Sequence, residues 1–139
     1  IIQSQLKPAL MKVIQFFLGL SIFLNMSCAQ NVNKSLDGKS FQISIWDVAH
    51  PDKKDPDLLI FKDGKMDSDA CHQYGFAAAA YKHQNKDDNT TFSTTINSAN
   101  EGEILFEGMV KDNVINGKSV WKKAGQADIN YEFSGSLKN

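Results

Sequence analysis

The sequence contains no arginine, because all 15 of its basic residues are lysines. After position 28 there are 13 lysines against 16 aspartates and glutamates, which gives that part of the chain a net charge of −3. Surfaces that bind nucleic acid are usually basic and use the bidentate guanidinium group. We therefore expect no nucleic-acid partner.

The sequence also lacks an apolar run long enough to cross a membrane, which takes ~20 residues. Its longest apolar stretch, Val13 to Leu24, is interrupted by Gln15, Gly19 and Ser21. Lys12 precedes it and small residues follow it, as in a secretory signal peptide. We predict that residues 1–28 are upstream residues and a signal helix starting at Met11, that 29–35 are a polar tether, and that 36–139 form one domain.

Cysteine is scarce, and one of the two cysteines lies where the signal ends. Ser27 and Cys28 resemble the end of a bacterial lipoprotein signal, which predicts lipidation at Cys28 and a membrane-anchored envelope protein. The alternative is ordinary cleavage before Gln30, which would release a soluble periplasmic or secreted protein.

Either cleavage leaves Cys71 without a partner for an intrachain disulfide. The first interpretation is a small, buried, unreactive side chain. The second is a soft-metal site formed by Cys71 and His72, although adjacent ligands without a second pair are a weak signal. No cofactor is predicted.

Motifs of catalysis are absent as well. The chain has no Gly-x-Ser-x-Gly, no glycine-rich phosphate loop and no His-Glu-x-x-His. We therefore expect a protein that is not an enzyme.

Alternating apolar and polar residues predict an all-β domain. Phe41, Ile43 and Ile45 open the first strand, and His50 to Asp57 is predicted as a loop. Asp63-Gly64 predicts a tight hairpin. The remaining predicted segments are a helical turn near 69–75 capped by Asp69 and closed by Gly75, a strand from Phe76 to about His83, a turn at Asn85–Thr90, and strands around Phe92–Ile96, Ile104–Val110, Ile115–Trp121 and Ile129–Leu137.

Gly108, Gly117 and Gly135 fall in phase with the apolar residues of three successive strands. Glycine weakens a flat sheet but permits sharp bending. The sequence therefore predicts a single antiparallel up-and-down meander of about eight strands that closes into a small barrel.

A barrel of this size is either filled by its side chains or holds one small ligand. Seven aromatic residues are available to fill it, whereas Ala78, Ala80 and the in-phase glycines remove volume from one wall. The aromatic residues are Phe41, Phe61, Phe92, Phe106, Trp121, Tyr131 and Phe133. We favour a filled interior, because aromatic stripes are more often core than binding site.

The domain resembles the small lipocalin-like and avidin-like β-barrels of bacterial envelopes, many of them uncharacterised lipoproteins. The resemblance is carried by Leu36–Lys39, Ser68–Phe76, Gly108–Trp121 and Tyr131–Lys138. These motifs are structural, so the resemblance implies the barrel fold rather than an activity. Our leading hypothesis is a non-enzymatic, monomeric envelope protein whose barrel mouth or outer surface binds a small apolar molecule or an envelope component. Aromatic residues near predicted strand ends are the candidate contacts: Trp46, Tyr74, Phe76, Tyr81 and Trp121.

A second hypothesis is a protein-inhibitor or interaction module. Trp121 to Ala127 is similar to a late Trp-Lys-Gly stretch of barrel lipoproteins that inhibit lysozyme. Their disulfide and their serine-glycine loop are absent from this chain.

Overall fold

In the computed structural model, residues 34–139 are described and form a closed antiparallel barrel in which every strand pairs with its neighbour in the chain. The predicted signal helix and most of the tether lie outside the described residues. The strands are β1 Ser40–Asp47, β2 Asp55–Lys62, β3 Lys65–Ser68, β4 Ala79–Lys86, β5 Asn89–Ser98, β6 Gly102–Lys111, β7 Val114–Lys122 and β8 Ile129–Leu137. A 3₁₀ helix, Asp69–Tyr74, lies between β3 and β4.

Closure is achieved by pairing of β8 with β1, in a register that sets Gly135 opposite Ile43 and Phe133 opposite Ile45. This confirms the predicted eight-stranded up-and-down barrel. Because β1 and β8 cover each other, the barrel has no exposed strand edge at this seam.

Short turns connect most strands. Asp63, Asp87 and Asp112 each open a hairpin turn with a positive φ of 53° to 54°. Asp tolerates this left-handed conformation better than most residues. The predicted Asp63-Gly64 hairpin is confirmed, because Lys62 pairs with Lys65 on either side of it.

The in-phase glycines lie where neighbouring strands approach closely. Phe92, Gly108, Gly117 and Phe133 form one row of register partners across β5 to β8. A Cβ atom at Gly108 would lie 2.5 Å from Phe92 Cε1, and one at Gly117 would lie 2.8 Å from Gly108 Cα. The phenylalanine rings thus occupy the space that the glycines leave open.

Apolar side chains fill the interior. A single cluster of buried residues runs through it, and it includes five of the seven aromatics expected there, Phe41, Phe61, Phe92, Phe106 and Phe133. Trp121 and Tyr131 are only partly buried. The buried phenylalanines fill the middle of the barrel, as the favoured prediction expected, and at one end Trp121 packs against this core.

The two ends of the barrel are covered differently. Leu36, which is 1% exposed, covers one end; we call it the Leu36 end. At the other end, β1 finishes, β2 and β8 begin, and the 3₁₀ helix packs with Cys71 against the core; we call it the Tyr131 end.

Five local predictions are wrong. β2 already begins at Asp55, inside the predicted loop. Pro56 is its second residue, and a missing N–H is tolerated so close to the start of a strand. β4 begins at Ala79 rather than Phe76 and runs past His83 to Lys86. The predicted turn at Asn85–Thr90 therefore shortens to its two central aspartates.

The other two errors concern which alanine side chains face the core and which residue caps the helix. Ala78 and Ala80 are exposed, whereas Ala79 packs against the core. Asp69 is the first residue of the 3₁₀ helix, and Ser68 takes the cap position without a side-chain hydrogen bond. Gly75 does end the helix, with φ of 79°.

Candidate functional site

Three of the five predicted contact residues lie at the Tyr131 end, Trp46 on the outer face of the wall and Trp121 on its inner face. Trp46 lies near the end of β1, Tyr74 ends the 3₁₀ helix, and Trp121 lies near the end of β7. Tyr81 lies at the opposite end, and Phe76 is buried in the core at 5% exposure, so it is not available as a surface contact.

Tyr131 is the central side chain of this end, and sequence reasoning placed it in the core instead. It lies opposite Asp47 on β1 and opposite Ser119 on β7. Burial raises the pKa of Tyr131, and the nearby charges of Asp47, Cys71 and Asp55 raise it further. The phenol therefore stays neutral at physiological pH, and within the described residues its hydroxyl makes no hydrogen bond.

Asp47 is held in place by its own turn. Its carboxylate accepts hydrogen bonds from the Ala49 N–H at 2.8 Å and pairs with His50 Nδ1 at 2.9 Å. The hydrogen bond with His50, followed by that from Ala49, lowers the pKa of Asp47. An ionised carboxylate therefore flanks the phenol of Tyr131.

The position of the 3₁₀ helix that carries Tyr74 depends on a buried carboxylate, Asp57, whose structural role no sequence pattern predicted. Asp57 accepts hydrogen bonds from Ser68 Oγ at 2.6 Å, from Ala70 N at 2.8 Å and from Leu58 N at 2.7 Å. Asp57 is 5% exposed, so these bonds lie in a low-dielectric setting where charge-assisted bonds are strong. They fix the start of the 3₁₀ helix and thereby the exposed ring of Tyr74.

The two tryptophans are held by contacts along the rim. Lys54 Nζ lies 4.5 Å from the centre of the Trp46 ring, a cation–π contact. Trp121 Nε1 donates a hydrogen bond to the Glu101 carbonyl at 2.6 Å, and the Glu101 carboxylate pairs with Lys123 at 2.8 Å. Both rings thus have fixed positions with part of their surface open to solvent.

The side chains of Cys71 and His72 lie in different surroundings. Burial raises the pKa of the Cys71 thiol, and the side chain packs against the core. His72 Nε2 instead pairs with the Asp67 carboxylate at 2.8 Å. Within residues 34–139, no three histidine, cysteine or acidic side chains are grouped so that they could hold a metal ion.

Tyr81 forms a clip at the Leu36 end. Its hydroxyl donates to Asp37 Oδ1 at 2.9 Å, accepts from Leu36 N at 3.2 Å and lies 3.0 Å from Ser35 Oγ. Burial raises the pKa of Tyr81. These bonds fasten the first residues of the domain over the barrel.

Apolar and polar residues alternate along the last strand, and this pattern places Tyr131 inward near the start of the strand, where a barrel opens. The pattern could therefore have identified Tyr131 as a candidate contact. No sequence signal marks Asp57, because its partners Ser68 and Ala70 are distant in the chain.

Within the described part of the chain, no helix has the length and apolar character needed to cross a membrane. Comparison with protein-family models, with curated proteins and with solved structures finds no match to the chain.

Proposed function

We propose that this protein is a non-enzymatic binding module of the bacterial envelope, anchored by a lipid on Cys28, that contacts an envelope component with its Tyr131 end. The observation that carries the proposal is the division of the aromatic side chains. Phenylalanines fill the interior, whereas Trp46, Tyr74, Trp121 and Tyr131 collect at one end with part of their surface exposed.

The interior of the barrel is filled with side chains, which favours an envelope component over a small apolar molecule as the binding partner. A ligand inside the barrel would have to displace closely packed side chains such as Phe61, whose ring centre lies 5.0 Å from that of Phe92. A ligand at the Tyr131 end would meet tyrosine and tryptophan, which are common at the centres of protein interfaces.

The point at which the chain enters the barrel also supports binding at the Tyr131 end. Lys34 and Ser35 precede β1 at the Leu36 end, and Cys28 lies only six residues before Lys34. The described chain therefore enters the barrel at the end opposite the Tyr131 end.

Intrinsic fluorescence tests the binding surface, because both tryptophans of the chain lie at the Tyr131 end. The mature protein is titrated separately with membrane vesicles, peptidoglycan and solubilised envelope proteins. We expect one fraction to change the tryptophan emission and Tyr74→Ala to weaken its binding about tenfold, which is about 1.4 kcal/mol.

Val114→Ala is the matched control, because Val114 is 48% exposed at the Leu36 end and Tyr74 is 57% exposed. Unchanged emission with every fraction, or binding that Val114→Ala weakens and Tyr74→Ala leaves intact, contradicts the proposal.

Intact mass tests the anchor. The mature protein purified from membranes is expected to begin at Cys28 and to carry acyl mass. A mature chain that begins at Gln30 without lipid would show that the anchor is absent.

A further inference from the structure

A groove of about 410 Å³ runs over the outer face of β4, β5 and β6, away from the Tyr131 end. Its outward side chains are polar: Lys82, Gln84, Thr91, Ser93 and Glu107. The volume lies within the range of small-molecule sites, which begins near ~300 Å³.

The side chains of the groove are arranged in rows by the strand register. Lys82 lies opposite Ser93, and Ser93 lies opposite Glu107. Gln84 lies opposite Thr91 in the next outward row. Adjacent strands are ~4.8 Å apart, so Lys82 and Glu107 stand roughly 10 Å apart on the two sides of Ser93.

The charges of the groove are unbalanced. Glu107 pairs with Lys118 at 3.1 Å, on the side away from Lys82. Within the described residues Lys82 has no ion-pair partner. The Thr91 hydroxyl donates a hydrogen bond to the Gln84 carbonyl at 3.4 Å and can still accept one. The Lys82 ammonium, the Gln84 side-chain amide and the Ser93 hydroxyl make no hydrogen bond to another described residue, so their donors are available to a ligand.

From this geometry we infer a second binding site whose ligand is a carboxylated sugar. The Lys82 ammonium binds the carboxylate, and Gln84, Thr91 and Ser93 hydrogen-bond to the ring hydroxyls. A sugar acid fits the groove better than a simple inorganic anion does. The polar side chains extend over three strands, and an inorganic anion bound to Lys82 would reach only the polar side chain next to it.

The test is a ¹H–¹⁵N NMR titration of the mature protein with sodium glucuronate at millimolar concentrations, with glucose and inorganic phosphate in parallel. We expect glucuronate to shift the amide signals of Gln84, Thr91 and Ser93, and glucose and phosphate to bind at least tenfold more weakly. The tryptophan emission should stay constant, since both indoles lie at the Tyr131 end; this separates the groove from the site proposed above.

Two variants complete the test. Lys82→Gln should weaken glucuronate binding at least tenfold, whereas Lys138→Gln, which removes an exposed lysine that follows β8 and lies outside the groove, should change it less than twofold. Thr91→Tyr should fill the groove and abolish binding in a folded protein, because exposed strand positions accept aromatic residues. Equal binding of glucuronate and phosphate, equal effects of the two lysine variants, or no shift in the groove would overturn the inference.

Discussion

At the residue scale, the inward-facing glycines decide how closely the strands approach. A Cβ atom at Gly135 would overlap the Gln42 carbonyl and would lie 2.7 Å from Ile43 Cα on the closing strand β1. The closure of the barrel therefore depends on the absence of a side chain at this position. Sequence periodicity predicted the inward phase of Gly135, but only the register with β1 shows that the obstacle is backbone.

Gly135→Val is expected to lower the free energy of unfolding by about 1 to 3 kcal/mol or more, because the β1 backbone has little freedom to move away. Ser134→Val is the matched control. Ser134 lies opposite the exposed Ser44 and Asn116 and should tolerate a β-branched side chain. Thermal and urea denaturation of the two variants measure the difference, and an equal or larger loss at Ser134 would show that the inward register is wrong.

At the scale of single elements, the 3₁₀ helix links the core to the Tyr131 end. It packs through Cys71 on the interior, presents Tyr74 to solvent and is held at its start by Asp57. Ser98 Oγ donates to the Tyr74 carbonyl at 2.8 Å and holds the other end of the helix. The backbone of the helix is thus attached to β2 and to β5, and the ring of His72 pairs with Asp67 of β3.

Asp57→Ala is expected to release the helix and to lower the free energy of unfolding by at least about 1.5 kcal/mol, because buried donors lose a charged acceptor. Labelling of the Cys71 thiol is the direct readout. It should be slow in the native protein, whose thiol is partly buried with a raised pKa, and faster in the variant.

Asp67→Ala is the control for that experiment, because the charge of Asp67, like that of Asp57, raises the pKa of Cys71, whereas Asp67 contacts the helix only through the His72 ring and not through its backbone. Equally slow labelling of Cys71 in Asp57→Ala and in the native protein would show that Asp57 does not hold the helix.

The accuracy of the sequence predictions differed between elements for physical reasons. β5 to β8 were predicted with the correct inward faces, because Phe92, Phe106 and Phe133 alternate with polar residues. The four alanines at 77–80 show no alternation, so their sequence cannot set the phase of β4. The Asp-Pro-Asp start of β2 has the composition of a loop, and its pairing with β1, supported by the buried hydrogen bonds of Asp57, makes it a strand.

The candidate site was predicted in part. Trp46, Tyr74 and Trp121 were chosen because aromatic residues near strand ends often lie at the mouth of a barrel. They lie at the same end because the barrel closes and because each strand runs in a particular direction. The alternation of residues within one strand indicates neither of these. Tyr81 has the same local pattern, yet its hydroxyl is bound to Asp37 across 44 residues of chain.

At the scale of the whole molecule, three neutral groups with raised pKa values make stability fall at alkaline pH. Burial raises the pKa of Cys71 above its ordinary 9.0 and those of Tyr81 and Tyr131 above 10.0. The folded state therefore holds these protons more tightly than the unfolded chain. The stabilisation is complete below the ordinary values and is lost as pH rises through the folded ones.

Urea denaturation between pH ~8 and ~11 is expected to show a falling free energy of unfolding. The fall should be shallower in Tyr131→Phe, which removes one of the three titrating groups. A free energy that stays constant or rises over this range would contradict the assignment of these groups to buried, proton-retaining positions.

The central claim is that a filled barrel binds with its Tyr131 end. The most direct measurement is a ¹H–¹⁵N NMR spectrum of the mature protein with and without the envelope fraction that changes its tryptophan emission. We predict shifts of the indole N–H signals of Trp46 and Trp121 and of the amide of Tyr74, with no change at Leu36 and Tyr81. Shifts confined to the Leu36 end, or to interior residues such as Phe61 and Ile115, would contradict it.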